Sequence, residues 1–307
     1  MVDNKYRITV FTPTFNRADL LHKAYAALNR QTRKDFVWLI VDDGSTDNTR
    51  EVVEKWIDQT DDFRIEYIYK ENGGLQSGYV EALKHVKTEL CGCVDSDGYL
   101  ADNSIELILE TWDKGKHDGI AGVMAFDGYE DGTIIGELLP EPVPSEIDLI
   151  DLDIRNKHGK KTDRIYFIRS DIYCSAVPAK RYSGEKTMNA SYILLQIALK
   201  YHFLVINKPL CLAIYNDAGL TAQGWRRYFI RPNTYADWRQ FVLSIPDTPL
   251  KYKCRNIIHY IAECRIAKRR VFCKNVQKPF LTAILFPLGR LYYLYLVYKK
   301  AKDNKNI

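Results

Sequence analysis

The chain has 307 residues, of which 46% are hydrophobic and 27% charged. That composition excludes a disordered or collagen-like chain, and seven cysteines over this length exclude a disulfide-stapled scaffold. The net charge of +5 conceals an asymmetry: residues 251–307 carry 14 Lys and Arg against 2 Asp and Glu, whereas the first 250 carry 30 against 37. An acidic body with a basic tail points to an anionic partner for the tail, either a nucleic acid or a membrane surface.

The first third alternates strand-like and helix-like stretches. Arg7–Thr12 is a β-branched and apolar run, and Ala18–Gln31 carries Leu20, Leu21, Ala24, Ala27 and Leu28 at helical spacing. Phe36–Val41 is apolar, and Asp47–Gln59 places Val52, Val53, Trp56 and Ile57 on one helical face. A strand over Phe63–Tyr69, a helix over Leu75–Val86, a short buried strand over Leu90–Val94 and a helix over Asp102–Trp112 follow. Strands alternating with helices predict βαβ units and a parallel sheet, and strands without strict alternation fit a sheet covered on both faces.

From Gly119 to about Asp171 the pattern weakens into loops, short strands and an insertion. A helix over Ala190–Tyr201 and two strands, Phe203–Asn207 and Leu210–Tyr215, come next. From Trp225 to about Lys274 the chain reads as helical, broken at Pro246 and Pro249. The organisation is an α/β domain over 1–225, with a first half (1–115) and an acceptor-side half (116–225), followed by a helical appendage over 226–307.

The seven cysteines are odd in number and form no CxxC, which fits a reducing compartment. The N-terminal MVDNKYRITV runs into a strand without the pattern of a signal peptide. Within 268–307, basic clusters flank an apolar and tyrosine-rich stretch, Pro279–Tyr298, interrupted by Pro287, Gly289 and Arg290. Tyrosines with flanking Lys and Arg favour the headgroup region of a bilayer, so a segment lying on the membrane is expected rather than a span. The apolar block between the basic clusters argues against nucleic acid. The expected location is cytoplasmic, peripheral to the inner face of the cell membrane.

In an open parallel sheet ligands bind at the carboxyl ends of the strands. Four polar loops stand there: Thr12-Pro-Thr-Phe-Asn-Arg17, Asp42-Asp-Gly-Ser-Thr-Asp47, Asn72-Gly-Gly74 and Asp95-Ser-Asp-Gly98. Asp95 and Asp97 are hard oxygen ligands suited to Mn2+ or Mg2+ together with diphosphate oxygens. Asp151-x-Asp153 repeats the pattern but has no buried strand before it and is read as chance. Asp47 or Ser45 would cap the following helix, which leaves one of Asp42 and Asp43 to accept a hydrogen bond from a base N–H. Phe15 would stack on that base.

Together Thr12-Pro-Thr-Phe-Asn, Val41-Asp-Asp-Gly-Ser-Thr-Asp, Asn72-Gly-Gly and Val94-Asp-Ser-Asp resemble the family 2 glycosyltransferases of the GT-A fold. A later stretch, from Gly184-Glu-Lys186 to Ala218-Gly-Leu-Thr221, is similar to bacterial members that build capsule and cell-surface polysaccharides. The resemblance covers about 1–225. It implies inverting transfer from a nucleotide-diphosphate sugar, such as a UDP-sugar, with a divalent cation, to a lipid-linked or glycan acceptor. By position, Pro13 and Phe15 would line the base pocket, and Asn72 and Gly73 would bind the nucleotide-sugar. Asp43 would meet the base, supported by Asp42. Asp95 would hold ribose and metal, and Asp97 the metal and diphosphate.

Three positions depart from the family pattern: Gly98, Ala190 and Ala218 stand where relatives often carry acids. An inverting transferase needs a carboxylate to take the acceptor's proton. Glu185, Asp217 and Asp127 are the candidates. The alternative is a nucleotide-sugar-binding partner subunit that has lost its base.

Overall fold

The computed structural model describes residues 5–155, 162–176, 182–185, 191–213, 224–273 and 276–303. The chain divides into two compact units. The first comprises Met1–Leu152, Asn156–Val177 and Ile193–Asn216, and the second Asp153–Arg155, Pro178–Tyr192 and Asp217–Ile307.

The first unit is built on a nine-stranded mixed sheet in which β1 (Ile8–Thr14), β2 (Phe36–Asp42), β3 (Arg64–Tyr69) and β4 (Leu90–Cys93) are mutually parallel, in the order β3-β2-β1-β4. The helices between them are α1 (Ala18–Asn29), α2 (Thr49–Gln59) and α3 (Leu75–His85). β5 (Gly98–Leu100) and α4 (Ser104–Gly115) follow. All seven residues of β1 and of β2 are buried, as expected of strands covered on both faces. Each large side chain such as Trp38 or Phe36 contributes on the order of 1.5–3 kcal/mol by leaving water. Trp38 loses nothing in polarity, because its indole N–H donates to Thr12 Oγ1 at 3.0 Å. β3 forms the sheet edge, and Arg64 and Glu66 blunt it with charge.

The middle of the unit is more regular than the sequence suggests. β6 (Ile120–Tyr129) is a ten-residue strand, and β7 (Glu146–Ile147), α5 (Leu149–Asp153), β8 (Arg164–Arg169) and α6 (Ser170–Ser175) follow it. Gly122 on β6 is a packing device: a Cβ there would lie 2.1 Å from the Phe167 carbonyl on β8. After α7 (Ser191–Ala198), the two strands expected over Phe203–Asn207 and Leu210–Tyr215 are one strand, β9 (His202–Ala213). Pro209 fits inside it because the β6–β9 register shifts beside its partner Phe126, at an irregularity that needs no donor. β8 runs antiparallel to β4 and β6, β6 is parallel to β9, and β5 and β7 each pair antiparallel with β9.

The second unit is helical: α8 (Arg227–Ile230), α9 (Pro232–Ser244), α10 (Leu250–Ile266) and α11 (Pro279–Asp303). α9 and α10 share a buried polar core, where Arg239 donates to Asn256 Oδ1 at 2.8 Å and pairs with Glu263 at 3.3 Å. α11 is one continuous 25-residue helix that runs through Pro287.

Candidate active site

The loops after β1 and β2 are fastened to each other by Asn16. It takes φ of +50°, in the left-handed region that Asn tolerates. From there its Oδ1 accepts from the Thr46 N–H at 2.7 Å, and its own N–H donates to Ser45 Oγ at 2.8 Å. Asp47 accepts from the Ala18 N–H at 3.3 Å and the Thr49 N–H at 3.1 Å, so one carboxylate serves the first turns of both α1 and α2. Burial alone would raise its pKa, but the Thr49 hydrogen bonds outweigh that and hold it low.

Asp42 and Asp43 do different work. Asp42 is buried and structural: Oδ1 accepts from the Ser45 N–H at 2.8 Å and Oδ2 from the Tyr67 hydroxyl at 2.5 Å. Asp43 reaches across to the loop after β3. Its Oδ1 accepts from Lys70 Nζ at 2.5 Å, the Gly73 N–H at 2.9 Å and Ser77 Oγ at 3.1 Å, and its Oδ2 from the Gly74 N–H at 2.6 Å. Burial acts to raise its pKa, but the Gly73, Lys70 and Gly74 hydrogen bonds prevail and hold it below the usual carboxylate range. Asn72 Nδ2 donates to the Asp43 carbonyl at 2.8 Å, and at Gly44 (φ +85°) a Cβ would lie 2.9 Å from the Asn72 nitrogen. Pro13 packs under this loop against Gly78, while Phe15 stands 46% exposed.

The loop after β4 supplies Asp95 and Asp97. Protein crowds Asp95 on most sides, yet its side chain is open to solvent. This desolvation, and then the Asp97 charge, raise its pKa. Asp97 Oδ2 lies 3.3 Å from Arg17 Nη1. No group of three or more His, Cys, Asp or Glu able to hold a metal occurs among the described residues. Two open carboxylates of like charge still fit a hard divalent cation whose remaining ligands are waters and diphosphate oxygens.

The three candidate bases separate. Asp127, on β6, is half-buried; its Oδ1 has no hydrogen-bond partner among the described residues. Burial first, then the Asp163 and Asp95 charges, push its pKa up to about 7. Glu185 lies elsewhere, in the second unit. Its Oε1 accepts from the Asn233 N–H and Nδ2 at 2.9 and 2.8 Å, and its Oε2 from the Thr234 N–H and Oγ1 at 2.8 and 2.6 Å. That carboxylate caps α9. Asp217 lies outside the described residues, as do Ala190 and Ala218.

Sequence reasoning passed over Arg17, Tyr67, Lys70 and Ser77. Lys70 was within reach of the strand-end rule, since it directly follows β3, one residue past Tyr69. Arg17 and Ser77 carried no local signal: their partners lie 80 and 34 residues away.

The sequence profile described as Glycosyl transferase family 2 matches residues 9–172. The chain is 34% identical over 128 residues to a glycosyltransferase of Mycoplasma genitalium, covering 40% of this chain and 42% of the relative. It is 33% identical over 109 residues to the chondroitin synthase of Pasteurella multocida, covering 36% and 11%. It is 31% identical over 111 residues to the GalNAc(5)-diNAcBac-PP-undecaprenol beta-1,3-glucosyltransferase of Campylobacter jejuni, covering 36% and 35%. The chain thus spans less than half the length of these relatives. Among solved structures, S. aureus TarS 1-349 in complex with UDP-GlcNAc superposes with a TM-score of 0.58 at 18% identity, covering 84% of this chain and 72% of TarS 1-349. A mannosyltransferase of Pyrobaculum calidifontis in complex with GDP-Man and Mn2+ gives 0.56 at 16% identity, covering 99% and 88%. The fold is GT-A, and with more than half of its length matched, the chain belongs to glycosyltransferase family 2.

Proposed function

We propose that this chain transfers a sugar, with inversion, from a nucleotide-diphosphate sugar to a lipid-linked or polysaccharide acceptor in bacterial surface polysaccharide synthesis, at the cytoplasmic face of the membrane. The observation that carries this reading is the convergence of four strand-end loops, in which Asp43 ties the loop after β2 to the Gly73–Gly74 amides, Asp95 stands open to solvent and Asp97 pairs with Arg17. A UDP-sugar is the donor favoured. UDP-GlcNAc occupies the TarS structure, and the Campylobacter relative is named for an undecaprenol-diphosphate acceptor.

Phe15 is the exposed aromatic face on which a base stacks. Asp43 Oδ1 is filled by three donors, but Oδ2 takes one and has capacity for a base N–H. Asp95 and Asp97 would hold Mn2+ or Mg2+, which when bound neutralises the donor diphosphate. Asp127 is the base: a half-buried carboxylate with a pKa of about 7, near Asp95, suits taking the proton of an acceptor hydroxyl at neutral pH. Glu185, spent on α9, does not compete for this role.

The test is calorimetry of UDP and UDP-sugars with Mn2+, followed by transfer of labelled sugar to a lipid extract. A chain that binds neither UDP nor another nucleotide diphosphate overturns the reading. Donor binding without transfer to any acceptor would instead support the partner-subunit alternative.

A further inference from the structure

α11 is apolar on two opposite faces. Thr282, Gly289 and Leu296, spaced seven apart, are buried. A Cβ on Gly289 would come within 2.5 Å of Ile261, so α11 and α10 touch nearly backbone to side chain there. On either side of this contact, Leu281 and Leu285 join the cluster of Ile257 and Ile261, and Tyr292 and Tyr293 join that of Tyr228, Ala262 and Leu296.

The other face is a solvent-exposed stripe. Phe280, Ile284, Leu288, Leu291, Tyr295 and Tyr298 are 80, 57, 50, 62, 52 and 67% exposed. Their spacing of four, four, three, four and three residues keeps them in line, over about 27 Å of helix. A soluble surface rarely leaves so long an apolar patch uncovered.

Three occupants compete for it. A transmembrane span has the length, 25 residues with a mean hydropathy of 1.5 in its most apolar stretch. Spanning would nonetheless carry α10 into the hydrocarbon or strip α11 from it. α10 brings exposed Arg255 and Arg265, the latter 5.2 Å from the Tyr293 ring, and the Arg239–Glu263 pair. A second copy of the stripe meets like charge. α11 carries Arg290, Lys299, Lys300 and Lys302 against Asp303, and Asp303 is held by Arg226 at 2.6 Å. An anionic lipid surface complements both features, with apolar and tyrosine side chains at the acyl boundary and cations at the headgroups.

We infer that α11 lies in the plane of an anionic membrane surface, its Phe280–Tyr298 stripe in the headgroup–acyl boundary and its Gly289 face on α10. The inference specifies the mode and the face of the membrane association proposed above, and it does not depend on the glycosyl-transfer chemistry.

The test is cosedimentation of the full chain with vesicles of phosphatidylglycerol and phosphatidylcholine in equal parts, and with phosphatidylcholine alone. Binding to the anionic vesicles should be about tenfold tighter or more, and should weaken yet persist at high salt. The double variant Leu288→Glu/Leu291→Glu should bind those vesicles about tenfold less or weaker still. Its circular dichroism and melting temperature should match wild type, because both side chains face water. Bound protein should exchange onto a second vesicle population. Wild-type binding by the double variant, or no binding by the wild type, overturns the inference. Failure to exchange over hours would mean a span and overturns it too, and so does a vesicle-independent dimer that the double variant abolishes.

Discussion

Arg17 and Asp97 form an ion pair between the loops after β1 and β4, Nη1 to Oδ2 at 3.3 Å, with each side chain about one-third exposed. With Asp97 holding the cation as proposed, the guanidinium and the cation compete for one partner. An ion pair this exposed is worth about 0.2–1 kcal/mol. Arg17→Ala should therefore tighten Mn2+ binding in the absence of nucleotide by roughly twofold to fivefold, read by electron paramagnetic resonance titration. Asp97→Ala should remove both the metal and turnover while leaving the melting temperature near wild type. Unaltered Mn2+ affinity in both variants would remove the metal from this pair.

Phe15 and Asp43 should fail in distinguishable ways. Phe15 is 46% exposed, so Phe15→Ala should cost little stability and weaken UDP binding by about 1–3 kcal/mol, roughly fivefold to 150-fold. Asp43→Ala should weaken binding too, but it also strands the Gly73 and Gly74 amides and one bond of Lys70. Leaving such groups unpaired costs on the order of 2–4 kcal/mol, seen as a lower denaturation midpoint. Calorimetry with unchanged UDP affinity in Phe15→Ala refutes the stacking face.

The contrast between these residues shows what the sequence makes legible. Strand ends are readable because apolar runs stop there, so the four loops and their acids stand out, and the parallel half of the sheet follows to within one or two residues. What those acids touch is not readable. Asp43 finds Lys70 27 residues on, and Arg17 finds Asp97 80 residues on. These are distances that only the sheet's parallel crossovers close. Gly122 is a related case: locally it lowers strand propensity, and the approach of Phe167 explains its place on β6. Glu185 is the same case, an acid that looks catalytic until α9, 48 residues on, comes to meet it.

Glu185→Gln should therefore be a stability variant. Four donors from Asn233 and Thr234 converge on the carboxylate, and the charge at the start of α9 also favours the helix dipole. The amide keeps part of this geometry but turns one acceptor into a donor facing N–H groups. A loss of about 1–2 kcal/mol is expected, typical of a damaged helix cap. Donor binding and transfer per folded molecule should be retained. A turnover loss of a hundredfold with unchanged melting would return Glu185 to the catalytic role.

Asp127 carries the opposite signature, in both rate and stability. Its pKa is about 7 because burial and the Asp163 and Asp95 charges disfavour the carboxylate. As a base it acts only when ionised, so turnover should fall roughly tenfold per unit as pH drops below about 7. Asp127→Asn should lose about a hundredfold in turnover, and its residual rate should lack that dependence. The stability sign runs the other way. The folded pKa lies above the unfolded value near 3.8, so the folded state binds the extra proton between those two pH values. Stability from this group is therefore present at low pH and is lost as pH rises toward about 7, on the order of a few kcal/mol in all. The amide cannot ionise and escapes that loss, so Asp127→Asn should melt progressively higher than wild type as pH rises from 4 to about 7, with the gap levelling off above. A melting difference that is flat across this range would mean that Asp127 is not held near neutrality, and with that its claim to be the base would go.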